Sequence, residues 1–164
     1  MSLGRIIGLA RRAVSRQPME EMKHCLVTPE IGVLGDCKGI KFPLRHVTIM
    51  AREDWEDALA SLDCLMGPIE LPWTMRRANV LTEGIQLPKG EGSILSLGSA
   101  LVQVTEETTP CAQMDVAYRG LRRALAPHWR GGITCKVLTG GGLSLGDRVE
   151  TLSLKIQRRA YLPA

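Results

Sequence analysis

The sequence predicts a mainly β protein in which the strands form a barrel and a few short helices cover it. Most apolar runs are short and end at Gly or Pro, which is typical of strands. A strand–Gly–strand pattern occurs twice, as ILSLGSALVQV (94–104) and as GLSLGDRVETL (142–152). Recurrent units of this kind favour a closed or nearly closed sheet. Helical spacing of apolar residues is clear in two segments, which we expect to cover the barrel openings.

The composition fits one globular domain. The chain has 164 residues, of which 45% are hydrophobic and 23% charged, and both fractions are ordinary for such proteins. The net charge of +4 is too weak a bias to predict nucleic-acid binding. Apolar stretches stay far below the ~18 residues of a transmembrane helix, so we expect no membrane span.

The cysteines indicate a reducing compartment. They number five, no pair has CxxC spacing, and no signal peptide precedes them. A disulfide framework is therefore not expected, and we predict a cytoplasmic protein. Residues 1–19 carry four arginines and no acid. An arginine-rich targeting segment is one interpretation, but we favour an early strand with a basic edge and a turn at Pro18.

Further strands are expected at residues 22–27, 46–51, 78–87 and 93–107. Gly98 marks a turn or bulge in the last of these. We expect positive φ at Gly98 and at its counterpart in the repeat, Gly146, because only glycine adopts it freely.

Two amphipathic helices are predicted at residues 52–63 and 117–129. The first has an acidic first turn, which suits a helix N-terminus. In the second, Tyr118, Leu121 and Leu125 have helical spacing. Residues 28–45 are rich in glycine and proline and have no sustained period, so we expect this segment to be mostly loop.

Cys111 is the candidate reactive residue. It follows Pro110, which cannot donate to a sheet, so the strand at 93–107 should end or bulge there. A cysteine beside a rigid residue at a strand exit can be displayed to a pocket. Free cysteine is also among the most buried residue types, and from this context alone the two interpretations are about even.

An arginine-containing segment, WTMRRANVLTEGI (73–85), could bind an anion. The planar guanidinium group suits phosphate or carboxylate. If this segment is a strand, the period of two places Arg77 and Asn79 on one face and Arg76 on the other. A solvated edge strand is the alternative, and it is the better interpretation of the segment by itself.

A glycine-rich turn, GDCKGIKFPLR (35–45), contains Asp36, Lys38 and Arg45 and could form an anion-binding nest. It lacks the pattern of a P-loop. The sequence also lacks the HExxH and GxGxxG motifs of zinc proteases and dinucleotide-binding proteins.

The order and spacing of these motifs resemble the MOSC domain, named for the C-terminal region of molybdenum cofactor sulfurase. The segments that carry the resemblance are TPEIGVLGDCKG, RHVTIM, RRANVLTEGIQLP, LSLGSALVQVTEETTPCAQMD, RGGITCKVL and GGLSLGDRV. The resemblance covers roughly residues 20–150. It implies a single MOSC domain over residues 1–164, a β-barrel fold, and a site for molybdenum cofactor, a pterin dithiolene with a terminal phosphate.

The resemblance also assigns roles to residues. It implies that Cys111 is catalytic, as a molybdenum ligand or as the carrier of a persulfide sulfur, and soft thiolates suit such a metal. The residues expected to bind the cofactor, from the resemblance or from the basic segments, are Gly35, Asp36, Lys38, Arg45, Arg76, Arg77, Asn79, Thr82, Glu83 and Gly84. Pyridoxal phosphate is not expected to bind this domain directly.

Three functions remain open at this point. The leading hypothesis is a molybdenum-dependent oxidoreductase that reduces N-hydroxylated compounds with electrons from an external donor. The alternative is a non-catalytic sulfur carrier, loaded by a cysteine desulfurase partner. A barrel that binds a small anion without chemistry is the third, because Lys38 replaces a frequent family His, and Thr108 and Thr109 stand where reductive relatives often carry Arg.

Overall fold

The computed structural model describes residues 3–153, without the side chains of residues 63–66. Its strands are β1 (Gly4–Arg11), β2 (Glu20–Met22), β3 (His24–Thr28), β4 (Gly32–Val33), β5 (Val47–Ala51), β6 (Val80–Glu83), β7 (Ile94–Leu97), β8 (Ala100–Glu107), β9 (Ile133–Thr139), β10 (Gly141–Ser144) and β11 (Arg148–Ser153). Its helices are α1 (Cys37–Lys41), α2 (Arg52–Met66), α3 (Ala112–Ala117) and α4 (Leu121–Leu125), with 3₁₀ turns at Trp73–Arg76 and Pro127–Trp129.

Seven of these strands close into a barrel, which confirms the predicted fold class. Their order is β11-β7-β8-β9-β5-β6-β1, and pairing of β1 with β11 closes the ring. Neighbouring strands are antiparallel except β5 and β6, which are parallel. Strand β2 extends the sheet beside β1, and β10, β3 and β4 form a small second sheet. Full closure removes the exposed sheet edges that would otherwise invite pairing with other chains.

Two apolar cores lie on opposite sides of the barrel wall. Ile49 of β5 points into the barrel, whereas the next residue, Met50, points outward. The outer core contains Met50 together with Trp55 of α2 and Leu121 of α4. Helices α2 and α4 therefore cover an outer face of the wall rather than a barrel opening, and β5 is buried on both of its faces.

The repeated Leu-Ser-Leu-Gly motif forms two sharp turns, as predicted. Gly98 has φ 53° between β7 and β8, and Gly146 has φ 91° between β10 and β11. The first turn closes an antiparallel hairpin. The second turn joins strands that belong to different sheets.

Residues 28–45 are mostly loop, as predicted, and also contain β4 and α1. Asp36 caps α1 by accepting a 3.1 Å hydrogen bond from the Lys38 amide. One local prediction is wrong. The helix expected at 117–129 is broken at Gly120, which has φ 90°. The Asp115 carboxylate accepts hydrogen bonds from the amide of Gly120 (3.2 Å) and from that of Arg122, so a new helix starts there.

The β1 strand confirms the early strand expected near the N-terminus, and the strand expected at 22–27 is divided between β2 and β3. Helix α2 agrees with the prediction and extends it to Met66. Over residues 3–153, no helix is long and apolar enough to cross a membrane.

Candidate functional site

The structure displays Cys111. Strand β8 ends at Glu107, Pro110 is buried, and Cys111 is exposed as the residue that precedes α3. Cys135, by contrast, is fully buried in the barrel interior, where burial raises the thiol pKa. Cys25 is partly buried, and burial raises its pKa to about 11. Cys111 therefore differs from these two thiols in being open to solvent, which agrees with the displayed interpretation.

The loop before Cys111 is held by three hydrogen bonds that Thr108 makes, one as acceptor and two as donor. Its carbonyl oxygen accepts from Arg76 Nη2 at 2.8 Å, and its amide donates to the carbonyl oxygen of Gly132 at 2.9 Å. Its hydroxyl donates to Thr134 Oγ1 at 3.3 Å. Arg76 is itself buried and also donates from Nε to the carbonyl oxygen of Gly131 at 3.1 Å. The approach to Cys111 is thereby tied to β9.

A cavity of about 190 Å³ opens beside Cys111. Five cationic side chains line it, and none of the described residues around it is acidic. The lining residues are Arg12, Lys38, Arg45, Thr48, Arg76, Arg77, Ala78, Thr108, Thr109, Cys111, Gln113 and Met114. We call this the cationic cavity. Its charge and its thiol suit an anionic ligand with a soft reactive centre.

Asp36 organises one side of the cationic cavity without lining it. Its carboxylate accepts hydrogen bonds from the amide of Arg12 at 3.0 Å and from the amide of Lys38 at 3.1 Å. These contacts bring the end of β1 and the start of α1 together. Burial, followed by repulsion from Arg12, lowers the Lys38 pKa, whereas the Asp36 charge raises it.

Two cations in the cavity have nitrogen atoms that the described residues do not satisfy. Arg12 Nη1 is buried and has no hydrogen-bond partner there. Arg45 Nε lies 3.0 Å from Glu106 Oε1, but the ion pair lacks hydrogen-bond alignment. An unsatisfied buried donor is costly, so an anion bound within reach of Arg12 Nη1 would remove that cost.

Arg76, Arg77 and Asn79 do not form the strand face that the sequence predicts. Arg76 ends a 3₁₀ turn, and Arg77 follows in the left-handed conformation with φ 65°. Both arginines line the cavity. Asn79 is buried behind it, where its Oδ1 accepts from Thr48 at 3.0 Å and its Nδ2 donates to the Ala10 carbonyl at 3.1 Å.

The Thr82, Glu83 and Gly84 motif lies elsewhere. Thr82 is fully buried, and its hydroxyl contacts the Met50 carbonyl oxygen at 3.5 Å. Glu83 and Gly84 line a separate cavity of about 580 Å³. There, Glu83 pairs with Arg52 at 2.6 Å and with Arg5 at 3.2 Å. The structure therefore does not bring this motif to Cys111.

Gly35 lies outside the lining of the cationic cavity and forms a turn with φ 82°. Sequence reasoning missed Arg12, Thr48 and Gln113, which do line it. Arg12 had a visible signal, because it belongs to the acid-free basic N-terminal segment. Thr48 and Gln113 had none, since a threonine in a strand and a glutamine in a helix are ordinary.

Comparison with known proteins gives one family. A family model for the MOSC domain matches residues 40–150, and the match starts further along than the predicted residue 20. It includes Arg45, Arg76, Arg77 and Cys111 but neither Arg12 nor Lys38.

Solved structures share the fold at low sequence identity. The YuaD protein from Bacillus subtilis aligns with TM-score 0.75 and 19% identity over 94% of this chain and 100% of that chain. YiiM from Escherichia coli aligns with TM-score 0.63 and 19% identity, over 92% and 71% of the two chains. YiiM from Geobacillus stearothermophilus aligns with TM-score 0.62 and 15% identity, over 92% and 73%. No curated protein sequence matches the chain significantly.

Proposed function

Because the chain belongs to the MOSC domain family, which is associated with molybdenum cofactor binding, we propose that it binds this cofactor with Cys111 as the metal ligand. The observation that carries the proposal is an exposed thiol beside a cavity lined by five cations. A thiolate is a soft ligand of the kind that a metal–dithiolene centre takes. The cations complement the terminal phosphate and the negative charge of the dithiolene.

The residues present fit the group. Arg12, Lys38, Arg45 and Arg77 supply donors to anionic oxygens, and the buried, unpaired Nη1 of Arg12 is the donor that most needs such a partner. Arg76 acts differently, because its donors are engaged by backbone carbonyl oxygens in the loop before Cys111. It is a positioning residue for the thiol. When bound, the cofactor supplies a metal centre capable of two-electron redox chemistry.

The reaction proposed for this site is reduction of an N-hydroxylated compound. The balance is R–NHOH + 2 e⁻ + 2 H⁺ → R–NH₂ + H₂O, with both electrons supplied by a separate donor protein in the cytoplasm. The chain's own residues hold the anionic ligand, compensate its charge and present the thiol. Burial of Arg76 against the loop keeps that presentation rigid.

Uptake of purified cofactor tests the proposal. Protein mixed with excess molybdenum cofactor and passed through a desalting column should retain the cofactor, and Cys111→Ser should retain much less metal. Cys37→Ser is the matched control, because Cys37 is a free thiol outside the cavity lining. With reduced viologen as donor, loaded protein should convert a hydroxylamine to the amine. Failure of the wild-type protein to retain any cofactor would reject the proposal.

The alternative is sulfur transfer, favoured by the exposure of Cys111 to solvent. In this step the Cys111 thiolate attacks the outer sulfur of a desulfurase persulfide. A new S–S bond forms on Cys111, and the desulfurase cysteine leaves as a thiolate. Incubation with a cysteine desulfurase and free cysteine should then add the mass of one sulfur to the wild-type protein and to Cys37→Ser, but not to Cys111→Ser. Intact-mass spectrometry distinguishes this outcome from metal ligation.

A further inference from the structure

Arg77 lines a second cavity as well as the cationic cavity. The second cavity has a volume of about 240 Å³. It is lined by Arg16, Gln17, Pro18, Met19, Thr74, Met75, Arg77 and Ala117. The two cavities are neighbours, because Arg77 belongs to both linings. We call the second one the N-terminal cavity, because four of its lining residues come from residues 16–19.

The size of the cationic cavity makes this neighbour relevant. Sites for small-molecule cofactors usually measure about 300–1,000 Å³. The cationic cavity, at about 190 Å³, is too small by this standard, and so is the N-terminal cavity. The combined volume of the two cavities lies within the usual range for cofactor sites. A ligand as large as a pterin dithiolene phosphate therefore needs both.

The two linings differ in chemistry. The cationic cavity has five cations and the thiol. Besides Arg16 and the shared Arg77, the N-terminal cavity has two methionines, a proline and an alanine, with the amide of Gln17 and the hydroxyl of Thr74. Methionine sulfur makes favourable contacts with aromatic rings, and an amide supplies both donors and an acceptor. This combination suits a flat, neutral heterocycle with hydrogen-bonding edges.

Two residues that line the N-terminal cavity have strained backbone. Arg16 has φ 69° and Arg77 has φ 65°, conformations that cost a residue with a Cβ atom about 1–2 kcal/mol. Two such residues border this one cavity. Strained backbone of this kind concentrates at ligand sites, where surrounding structure enforces it.

We propose that the N-terminal cavity is the subsite for the pterin ring of the cofactor, while the cationic cavity holds the anionic end and the metal. Arg77, as the shared wall, contacts both parts and can stack its planar guanidinium on the ring. This inference rests on the proposed function. It assigns a binding role to residues 16–19, which precede the family match at residues 40–150.

A cavity-filling variant tests the subsite. Ala117 is exposed at the end of α3 and lines the N-terminal cavity, so Ala117→Trp should fill it without removing a core contact. Val116→Trp is the control, because Val116 is 79% exposed on the same helix and lines neither cavity. Gln17→Leu is a second variant, which removes the ring-binding amide from an exposed position.

The probes are 6-hydroxymethylpterin, which is neutral, and sulfate, each measured by equilibrium dialysis. Ala117→Trp and Gln17→Leu should weaken pterin binding by about tenfold or more, equivalent to about 1.4 kcal/mol, and leave sulfate binding within about twofold. Val116→Trp should bind both probes as the wild-type protein does. Lys38→Met should show the reverse pattern, weakening sulfate binding and sparing pterin binding.

The outcomes separate this inference from the proposed function. If the wild-type protein retains whole cofactor but Ala117→Trp and Gln17→Leu bind pterin as tightly as Val116→Trp, the subsite is wrong and the function stands. The subsite is also overturned if the wild-type protein retains the whole cofactor but neither it nor any variant binds the pterin probe. If the wild-type protein retains no cofactor, the proposed function fails, and pterin binding alone cannot restore it.

Discussion

Arg76 Nη2 donates a 2.8 Å hydrogen bond to the carbonyl oxygen of Thr108, three residues before Cys111. The same guanidinium donates from Nε to the Gly131 carbonyl oxygen. Burial lowers the Arg76 pKa to about 10, although the Cys111 charge raises it. The guanidinium thus lies between the loop that carries the thiol and the start of β9, and it holds both.

Replacement of Arg76 should destabilise the protein. Arg76→Met removes the donors to the carbonyl oxygens of Thr108 and Gly131, at about 1–3 kcal/mol each, so we expect a loss of about 2–6 kcal/mol in the free energy of unfolding. Urea denaturation measures it. Arg77→Met is the control, because Arg77 is only half-buried. Equal stability of the two variants would show that Arg76 does not hold the loop.

Arg77 should behave in the opposite way. Its φ of 65° is one that glycine adopts freely, so Arg77→Gly should leave the free energy of unfolding unchanged or raise it by up to about 1 kcal/mol. Binding of sulfate and of cofactor should weaken, because a cavity cation is lost. Thermal unfolding and equilibrium dialysis measure the two effects. A clear loss of stability would mean that the Arg77 side chain supports the fold.

His46 predicts a pH dependence of stability. Its Nδ1 accepts a 3.0 Å hydrogen bond from the Val137 amide, and burial lowers its pKa, although Glu30 raises it. At a pH below the ordinary histidine pKa of about 6.5, His46 binds a proton in the unfolded chain, whereas its lowered pKa keeps it neutral in the folded protein. The free energy of unfolding should therefore fall as pH decreases from 8 to 5. His46→Gln should lose less over this range, and parallel curves for the two proteins would contradict the prediction.

Lys38 predicts a pH dependence of anion binding. An ordinary lysine has a pKa of about 10.4. Because the pKa of Lys38 is lowered, its ammonium group loses its charge at a lower pH than an ordinary lysine does. Sulfate affinity should therefore decrease as pH rises through the alkaline range, because sulfate itself stays a dianion. Lys38→Arg keeps its charge and should show a flatter profile. Isothermal titration calorimetry at several pH values measures the sulfate affinity. Identical pH profiles for the wild-type protein and Lys38→Arg would exclude Lys38 from the anion site.

The sequence predicted the barrel because its signals are local. Short apolar runs and glycines at sharp turns, such as Gly98 and Gly146, need no knowledge of distant contacts. The helix break at Gly120 was not predicted, because hydrogen bonds to the Asp115 side chain override the helical spacing of the apolar residues around it. Helical periodicity by itself contains no information about that competition.

The candidate site was predicted in part. Cys111, Lys38 and Arg45 lie at one cavity, as their residue types indicated. Arg12 was not predicted to belong to this cavity. It is far from Cys111 in the sequence, and a hydrogen bond from its amide to the Asp36 carboxylate holds the end of β1 beside the cavity. Glu83 lies away from Cys111 at another cavity, where it forms ion pairs with Arg5 and Arg52, and its place in a motif contains no information about those partners.

The molybdenum content of freshly purified protein tests the central claim most directly. The wild-type protein, Cys37→Ala and Cys111→Ala would be expressed in a host that makes the cofactor and analysed by inductively coupled plasma mass spectrometry. We predict near-stoichiometric molybdenum in the wild-type protein and in Cys37→Ala, and a large loss in Cys111→Ala. Equal molybdenum in Cys111→Ala and the wild-type protein, or none in any of the three, would contradict ligation by Cys111.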